Sequence, residues 1–221
     1  MNLNILSFYL SNDEMNDNCE SLTSCGIFWA FTSFLAALGS SVGFYLPYWI
    51  KGSLIGVDVY FGVFRRCNYP HIVSEGLQPA IVKECGRYAT FNDIPSLSWK
   101  IATLTIGVGC GLALLVSFIA ILSVCINGIM SPTIARSAGI VQFCAGLLIG
   151  GGVAIYPNGW DSLEVQQACG YRSNAYVMGD CRFDWSFYLT AAGAGITLLW
   201  SIISCHAAKK KRSGPMPYTD L

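Results

Sequence analysis

Four long apolar runs constrain the fold of this chain more than any other feature of its sequence. They cover residues 26–49, 99–126, 134–156 and 185–205. The first run holds no charged residue, and as an α-helix it would extend for about 36 Å, enough to cross the hydrocarbon core of a bilayer. Charged residues make up 12% of the chain, whereas soluble domains carry about 25%. The sequence therefore predicts an all-α membrane protein with a bundle of four transmembrane helices.

The polar segments between these runs define the remaining organisation. We expect an N-terminal tail, a folded first loop, a short turn, a second loop and a C-terminal tail, which cover residues 1–25, 50–98, 127–133, 157–184 and 206–221. The alternation of apolar and polar residues over 57–60 indicates strand structure in the first loop. Because the chain crosses the membrane four times, both termini lie on the same side.

Basic residues near the span ends predict which side is cytoplasmic. The cluster from Lys209 to Arg212 follows the fourth run and places the C-terminal tail in the cytoplasm. Lys51 and Lys100 flank spans on the other side and count against this orientation, but the cluster outweighs them. We therefore predict a multi-pass protein of the plasma membrane, with both termini cytoplasmic and both larger loops outside the cell.

The cysteines of the two loops predict disulfide bonds under this orientation. Cys67 and Cys85 lie in the first loop, and Cys169 and Cys181 lie in the second. An even number of cysteines in an oxidising compartment indicates disulfides. Four cysteines allow three pairings, of which we choose the two within-loop pairs.

Cys25, Cys125 and Cys205 fall near the cytoplasmic face. Palmitoylation is one interpretation of these three cysteines, and buried unmodified thiols are the favoured one. A zinc site is not predicted, because no CxxC spacing occurs and His71 and His206 fall on opposite sides of the membrane. We predict no metal and no cofactor.

Several multi-residue blocks resemble those of one tetraspan family. They are Trp49, Gly62-Val63-Phe64-Arg65-Arg66-Cys67 with Cys85, and Tyr156-Pro157-Asn158-Gly159-Trp160-Asp161-Ser162. The blocks around Trp49 and Cys67 are similar to the W…GLWxxC pattern of claudins, with Phe64 where claudins have tryptophan. Over residues 19–205 the chain resembles the lipoma HMGIC fusion partner-like family of the claudin-like superfamily, and its first loop is most similar to that of the founding member.

This resemblance implies both a fold and a kind of function. The fold is a left-handed four-helix bundle that carries a small extracellular β-sheet, built mainly from the first loop and completed by the second. The function is not catalytic, because the hair-cell relative resembles an auxiliary subunit of a mechanotransduction channel and the synaptic relatives bind inhibitory receptors.

The apolar runs lack the side chains that transport and catalysis need. Their charged residues are Lys100 and Arg136, at the span edges, whereas carriers usually need an ionisable group well inside the membrane. We expect Gln142 to hydrogen-bond a neighbouring helix rather than to contact a substrate. We expect Asp161 and Glu164 to be solvated or to cap a helix rather than to form an acid-base pair. No enzyme activity, small-molecule substrate or nucleic acid partner is predicted.

Small residues in the spans predict close helix packing. Gly146 and Gly150 lie in the third run, residues 191–195 form a small-residue segment in the fourth, and Gly107, Gly109 and Gly111 lie in the second. Such residues let helix backbones approach each other in lipid. We favour packing within this bundle over docking of a partner's helix.

The family blocks also hold candidate contact residues in the loops. We expect Asn158-Gly159 to form a turn that directs Trp160 and Asp161 towards the bundle, with Trp160 packed against the first-loop sheet. Arg65 and Arg66 are interpreted as solvated strand residues, and a binding patch is the alternative.

The chain ends with Thr219-Asp220-Leu221, a form that PDZ domains bind through a backbone nest and a pocket for the terminal side chain. A cytoplasmic PDZ-domain scaffold is therefore a candidate partner, although so short a pattern also arises by chance.

Taken together, these features predict a non-catalytic accessory or assembly subunit of a larger membrane complex, an ion channel or receptor. It would bind its membrane protein partner through the outer sheet and the span faces. The alternative is a claudin-like junction or adhesion protein that self-assembles through its extracellular loops.

Overall fold

The four apolar runs form four long helices in the structure, a computed structural model that describes residues 24–71, 80–125 and 132–210. These helices, α1, α2, α3 and α5, cover Ser24–Tyr45, Leu97–Cys125, Pro132–Ile155 and Trp185–Lys210. A short helix, α4, covers Leu163–Cys169 in the second loop. Each long helix contains a stretch apolar and long enough to cross a membrane, and the stretch in α2, 28 residues, would extend for about 42 Å.

The long helices pack as a closed ring. α2 lies against α1 and α3, and α5 lies against the same two helices from the other side, so α1 and α3 face each other across the diagonal. Glycines permit the close contacts: a Cβ on Gly109 would lie 2.9 Å from the Ala145 carbonyl oxygen of α3, and one on Gly43 would lie 2.8 Å from the Ser186 carbonyl oxygen of α5. Side chains at these positions would push the helices apart.

The expected glycine contacts divide into two groups. A Cβ on Gly146 would lie 2.7 Å from Leu198 Cγ on α5, and one on Gly193 would lie 2.8 Å from the Ala36 carbonyl oxygen of α1. Gly111, Gly150 and Gly195 instead face open space. The two small-residue segments in α3 and α5 therefore each contain one glycine at a helix contact and one on the outer face.

A five-stranded antiparallel sheet covers one end of the bundle. Its strand order is β4-β3-β2-β1-β5, and the strands β1 to β5 cover Ile50–Leu54, Val57–Phe61, Arg65–His71, Ala80–Arg87 and Arg182–Phe183. The first four strands come from the first loop, and β5 comes from the second and pairs with β1. The predicted fold class is thereby confirmed. We call residues 46–71, 80–96 and 156–184 the cap.

The first helix is shorter than the apolar run that predicts it. α1 ends at Tyr45 rather than at Trp49. Pro47 cannot continue a helical hydrogen-bond ladder, and the Trp49 N–H instead donates to the Phe61 carbonyl oxygen of β2 at 3.3 Å. The chain therefore enters the sheet while its sequence is still apolar. Trp49 and Ile50 are apolar because they are fully buried in the core of the cap.

The other span boundaries also differ from the expected ones. α2 begins at Leu97 and α3 at Pro132, slightly before the predicted starts, and α3 ends at Ile155 so that Tyr156 begins a 3₁₀ turn. α5 continues beyond Cys205 to Lys210, because the residues that follow Cys205 are good helix formers such as Ala207 and Lys209.

Helix α4 packs directly on the first-loop sheet. A Cβ on Gly52 of β1 would lie 2.7 Å from Cys181 Sγ and 3.0 Å from the Ala168 carbonyl oxygen. Only glycine leaves room for this approach. α4 then ends at Cys169, because Gly170 adopts a φ of +83°, which side-chain-bearing residues rarely accept.

Candidate functional site

The turn Tyr156–Gly159 connects the bundle to the second loop. It is a 3₁₀ turn that follows α3 directly and carries Pro157 in its first positions. Asn158 Nδ2 donates to Ser98 Oγ at the start of α2, at 2.7 Å. A Cβ on Gly159 would lie 2.7 Å from Trp99 Nε1, so glycine is needed for this turn to rest against α2.

Aromatic side chains from three parts of the chain meet above this turn. The Trp99 and Tyr156 rings stack with centroids 5.0 Å apart, and Trp49 lies edge-on to Tyr156 at 4.8 Å. Two of these side chains are also hydrogen-bonded: Trp99 Nε1 donates to the Tyr156 carbonyl oxygen at 3.0 Å, and the Tyr156 hydroxyl donates to the Phe61 carbonyl oxygen at 3.3 Å. The turn therefore fixes α2, α3 and the sheet against one another.

Trp160 and Asp161, adjacent in the chain, have different surroundings. Trp160 is buried and lies 5.6 Å from Phe183, on the strand that the second loop adds to the sheet. Asp161 is exposed. The structure thus brings Trp160 together with Trp49 and Tyr156 in one core, and it leaves Asp161 at the surface.

A buried ion pair links the two loops. Arg66 Nη1 on β3 donates to Glu164 Oε1 on α4, and the Tyr88 hydroxyl donates to Glu164 Oε2 at 3.1 Å. The Arg66 guanidinium also lies over the rings of Tyr69 and Tyr88, at 3.6 Å and 4.5 Å from their centroids. We call Arg66, Tyr69, Tyr88 and Glu164 the inter-loop cluster.

The inter-loop cluster corrects two expectations from the sequence. Glu164 is 6% exposed and ion-paired, so it is neither solvated nor a helix cap. Arg66 is not a solvated strand residue, because it is held between Glu164 and two aromatic rings. The pairing joins residues far apart in the chain, and nothing in the local sequence around either residue indicates it.

Burial decides the electrostatics of this cluster. Loss of solvent raises the pKa of the Glu164 carboxyl, and the Arg66 guanidinium beside it opposes that rise. Burial likewise raises the pKa of the Tyr88 hydroxyl well above its ordinary value, so Tyr88 remains a hydrogen-bond donor to Glu164. Both carboxylate oxygens are occupied, and the arrangement suits holding two loops together better than proton transfer.

Each of the two loops contains one disulfide bond. Cys67 and Cys85 are joined across β3 and β4, and Cys169 at the end of α4 is joined to Cys181 just before β5. Both bonds are thus within-loop pairs. Cys144, on α3, is a free cysteine at the bundle surface.

Arg65 has surroundings unlike those of its neighbour Arg66. Its guanidinium lies 4.5 Å from the ring centroid of Tyr45, the last residue of α1. Its Nε is buried and has no hydrogen-bond partner. Phe64 packs against Phe44 at 4.9 Å, and Gly62 donates its N–H to the Arg65 carbonyl oxygen at 2.8 Å.

The remaining candidate sites are a metal site, the inner cysteines and the C-terminal motif. Among the described residues, no three His, Cys, Asp or Glu side chains come close enough to hold a metal ion. The side chains of Cys25, Cys125 and Cys205 lie outside the described residues, as do Thr219 and Leu221 of the C-terminal motif.

Comparisons with known proteins identify the family. The family model described as lipoma HMGIC fusion partner-like protein matches residues 25–210. LHFPL tetraspan subfamily member 2a of Danio rerio is 30% identical over 208 residues, which cover 86% of this chain and 89% of that protein. LHFPL tetraspan subfamily member 2 of Homo sapiens is 26% identical over 207 residues, which cover 86% of this chain and 90% of that protein.

Another member of the same subfamily shows a similar likeness. LHFPL tetraspan subfamily member 3 of Danio rerio is 30% identical over 184 residues, which cover 81% of this chain and 79% of that protein. The particular likeness of the first loop to the founding member stays a prediction. Because the matched residues include both loops and all four long helices, this chain belongs to the lipoma HMGIC fusion partner-like family of tetraspan membrane proteins.

Proposed function

We propose that this protein is a non-catalytic accessory or assembly subunit of a larger membrane complex, built around an ion channel or receptor. The observation that carries this proposal is an exposed isoleucine at the tip of the cap. The rest of the cap serves to hold that tip in a fixed position relative to the membrane.

The tip is the turn between β1 and β2. Leu54 pairs with Val57, so Ile55 and Gly56 form a two-residue hairpin turn, with φ angles of +49° and +74°. Positive φ at both positions is the pattern that favours Asn-Gly. A β-branched residue is strained in that conformation, and Ile55 is also 63% exposed.

Strain and exposure together indicate a contact residue. The Ile55 side chain gains little from burial in its own protein, and its backbone conformation costs free energy. This combination is typical of a binding surface. Lys51 Nζ lies 2.6 Å from Asp58 Oδ2 across the same hairpin, and Asn68 Nδ2 donates to the Asp58 carbonyl oxygen at 2.9 Å. These contacts hold the hairpin firmly behind its tip.

The bundle interior supports a role in assembly rather than in transport. Gln142 Nε2 on α3 donates to Ser33 Oγ on α1 at 3.1 Å, across the diagonal of the bundle. Thr190 and Thr197 on α5 donate to carbonyl oxygens of their own helix. These three donors therefore bond a neighbouring helix or their own backbone.

Ile55→Asn separates binding from folding. Asparagine is favoured in this turn, so the variant should be at least as stable as the wild type and should lose the partner. Ile55→Val is the matched control, because it keeps an apolar β-branched side chain and should keep the partner. The measurement is quantitative crosslinking and mass spectrometry in native membranes, with thermal unfolding of each purified variant.

The outcomes distinguish the two functions. Recovery of the same channel or receptor subunits with Ile55→Asn as with the wild type would contradict a contact role for the tip. Recovery of the wild type mainly with itself at cell contacts would contradict the accessory role and support a claudin-like junction or adhesion protein.

We propose the plasma membrane as the location, with both termini cytoplasmic and the cap outside the cell. The basic cluster from Lys209 to Arg212 supports this orientation, and a cytoplasmic tail would make Thr219 and Leu221 accessible to a PDZ-domain scaffold. Epitope tags at either terminus should be stained only after cells are permeabilised. Staining of intact cells would indicate the opposite orientation.

A further inference from the structure

Two arginines lie side by side at the edge of the sheet. Arg65 on β3 is paired directly with Arg87 on β4. The Tyr88 N–H donates to the Phe64 carbonyl oxygen one residue away, which makes Arg65 and Arg87 a non-hydrogen-bonded pair, the kind in which opposing side chains lie closest on one face.

A disulfide holds this pair in register. Cys67 and Cys85 are the next residues on the same face, and their bond joins β3 to β4 with the Cα atoms 4.1 Å apart. Like charges directly opposite each other destabilise a strand pair. The covalent bond beside them keeps the two arginines from moving apart by a shift of the strands.

The pair has no carboxylate partner in the described part of the chain. The ion pairs found there join Lys51 to Asp58 and Arg66 to Glu164. Asp93, six residues after Arg87, accepts the Thr90 N–H at 2.8 Å. Arg65 Nε is moreover buried without a hydrogen-bond partner. The two arginines therefore occupy directly opposed positions, and neither forms an ion pair in the described part of the chain.

An open cavity adjoins the pair at the level of the span ends. Arg87 lines it together with Phe64, Tyr88, Phe91, Ile94 and Thr103, and its volume is about 240 Å³. Thr103 belongs to the membrane-spanning part of α2, and Arg65 covers Tyr45 at the end of the first span. The cavity thus has one cationic side chain, Arg87, in a lining that also holds Phe64, Phe91 and Ile94.

We propose that Arg65 and Arg87 bind the phosphate of a membrane phospholipid from the leaflet on the side of the cap. Guanidinium groups match phosphate oxygens in geometry and charge, and basic pockets at the membrane surface bind lipid headgroups. The acyl chains would follow Phe64, which packs against Phe44 of the first span, into the bilayer. This site is separate from the tip at Ile55.

Native mass spectrometry of the full-length protein in detergent tests this proposal. The probe is dioleoylphosphatidylglycerol, and dioleoylglycerol, which has the same acyl chains without phosphate, is the matched control lipid. We expect Arg87→Gln to weaken phosphatidylglycerol binding about tenfold, the effect of losing one charge-assisted hydrogen bond. Arg87→Lys should weaken it less, because it keeps the charge.

Arg172→Gln is the control variant, because Arg172 is an exposed arginine of the second loop, and it should bind phosphatidylglycerol as the wild type does. Arg87 lies on the exposed edge strand, so Arg87→Gln should fold even if Arg65→Gln does not. Equal phosphatidylglycerol affinity in the wild type and Arg87→Gln would overturn the proposal. Binding of dioleoylglycerol as tight as that of phosphatidylglycerol would also overturn it. Displacement of the lipid by inorganic phosphate would overturn it too, because it would indicate a site for free anions.

Discussion

In the bundle, the helices meet where glycines such as Gly43 and Gly146 leave room, and a hydrogen bond from Gln142 to Ser33 crosses the interior. In the cap, a buried ion pair and the edge-on packing of Trp49 against Tyr156 join the two loops, and one disulfide closes each loop. Lipid provides little hydrophobic force between helices, so many small contacts add up there. The cap has a small core, and small domains depend on a few strong links.

This difference indicates where the protein is most sensitive to substitution. Removal of a single contact in the bundle should cost less than removal of a link in the cap, because each bundle contact is one of many. Single substitutions at the links of the cap should cost much more, and their effects should reach both loops.

Loss of a disulfide should have the largest effect. Cys67→Ser or Cys169→Ser should lower the free energy of unfolding by about 3 kcal/mol and retain the protein in the endoplasmic reticulum, as surface biotinylation would measure. Cys144→Ser is the control, because Cys144 is free and exposed on α3. Normal surface delivery of both loop variants would contradict the role assigned to these bonds.

Loss of Arg66 should have the next largest effect. Arg66→Met leaves the Glu164 carboxylate buried without its cation and should cost about 3 kcal/mol, measured as a lower thermal unfolding temperature. The double variant Arg66→Met with Glu164→Leu should regain part of this loss, because no buried charge then remains. Arg172→Met, at an exposed position, should change nothing. An unfolding temperature of Arg66→Met equal to that of the wild type would contradict the link.

Two glycines of α3 should respond in opposite directions. Gly146→Ala places a methyl group against Leu198 on α5 and should destabilise the bundle by about 1–3 kcal/mol. Gly150→Ala places it in open space and should stabilise the helix by about 0.5–1 kcal/mol. Thermal unfolding of both variants measures the difference. The same shift in both would show that the helices are packed in another register.

Gln142→Leu should cost about 1 kcal/mol or less, because interhelical hydrogen bonds in membranes are individually weak. Ser33 would lose its partner across the bundle, and thermal unfolding should show a small decrease. Ser137→Ala is the control, because the Ser137 hydroxyl bonds carbonyl oxygens of its own helix. A cost as large as that of Arg66→Met would reverse the proposed ranking.

Titration of Glu164 should have the smallest effect, which is a dependence of stability on pH. Burial raises the folded-state pKa of its carboxyl above the ordinary value of 4.5, so the folded protein binds this proton more tightly than the unfolded chain does. The resulting stabilisation is complete below the ordinary pKa and is lost as pH rises through the raised folded-state pKa. Thermal unfolding against pH should show this decrease in the wild type and not in Glu164→Gln. Identical pH profiles would contradict the shift.

The bundle could be predicted from the sequence, because apolar runs without charge have few structures available to them in lipid. The run 26–49 nevertheless extends past the end of α1, since Trp49 is apolar for the core of the cap rather than for the membrane. Glu164 and Arg66 could not be paired by inspection, because their contact depends on how α4 folds onto the sheet. Gly52 makes that approach possible, yet one glycine among several in the first loop carries no visible signal. The exposed tip at Ile55 likewise depends on the hairpin register.

Hydrogen exchange of the full-length protein in lipid nanodiscs tests most directly whether the second loop fixes the first-loop sheet. The Asp184 N–H donates to the Trp49 carbonyl oxygen at 2.9 Å, and the Trp49 N–H donates to Phe61. In the wild type these amides should exchange as slowly as those of the bundle, and in Arg66→Met exchange should accelerate in β1, β2 and β5 together. Rapid exchange of Trp49 and Asp184 in the wild type, or acceleration confined to the second loop, would contradict this account.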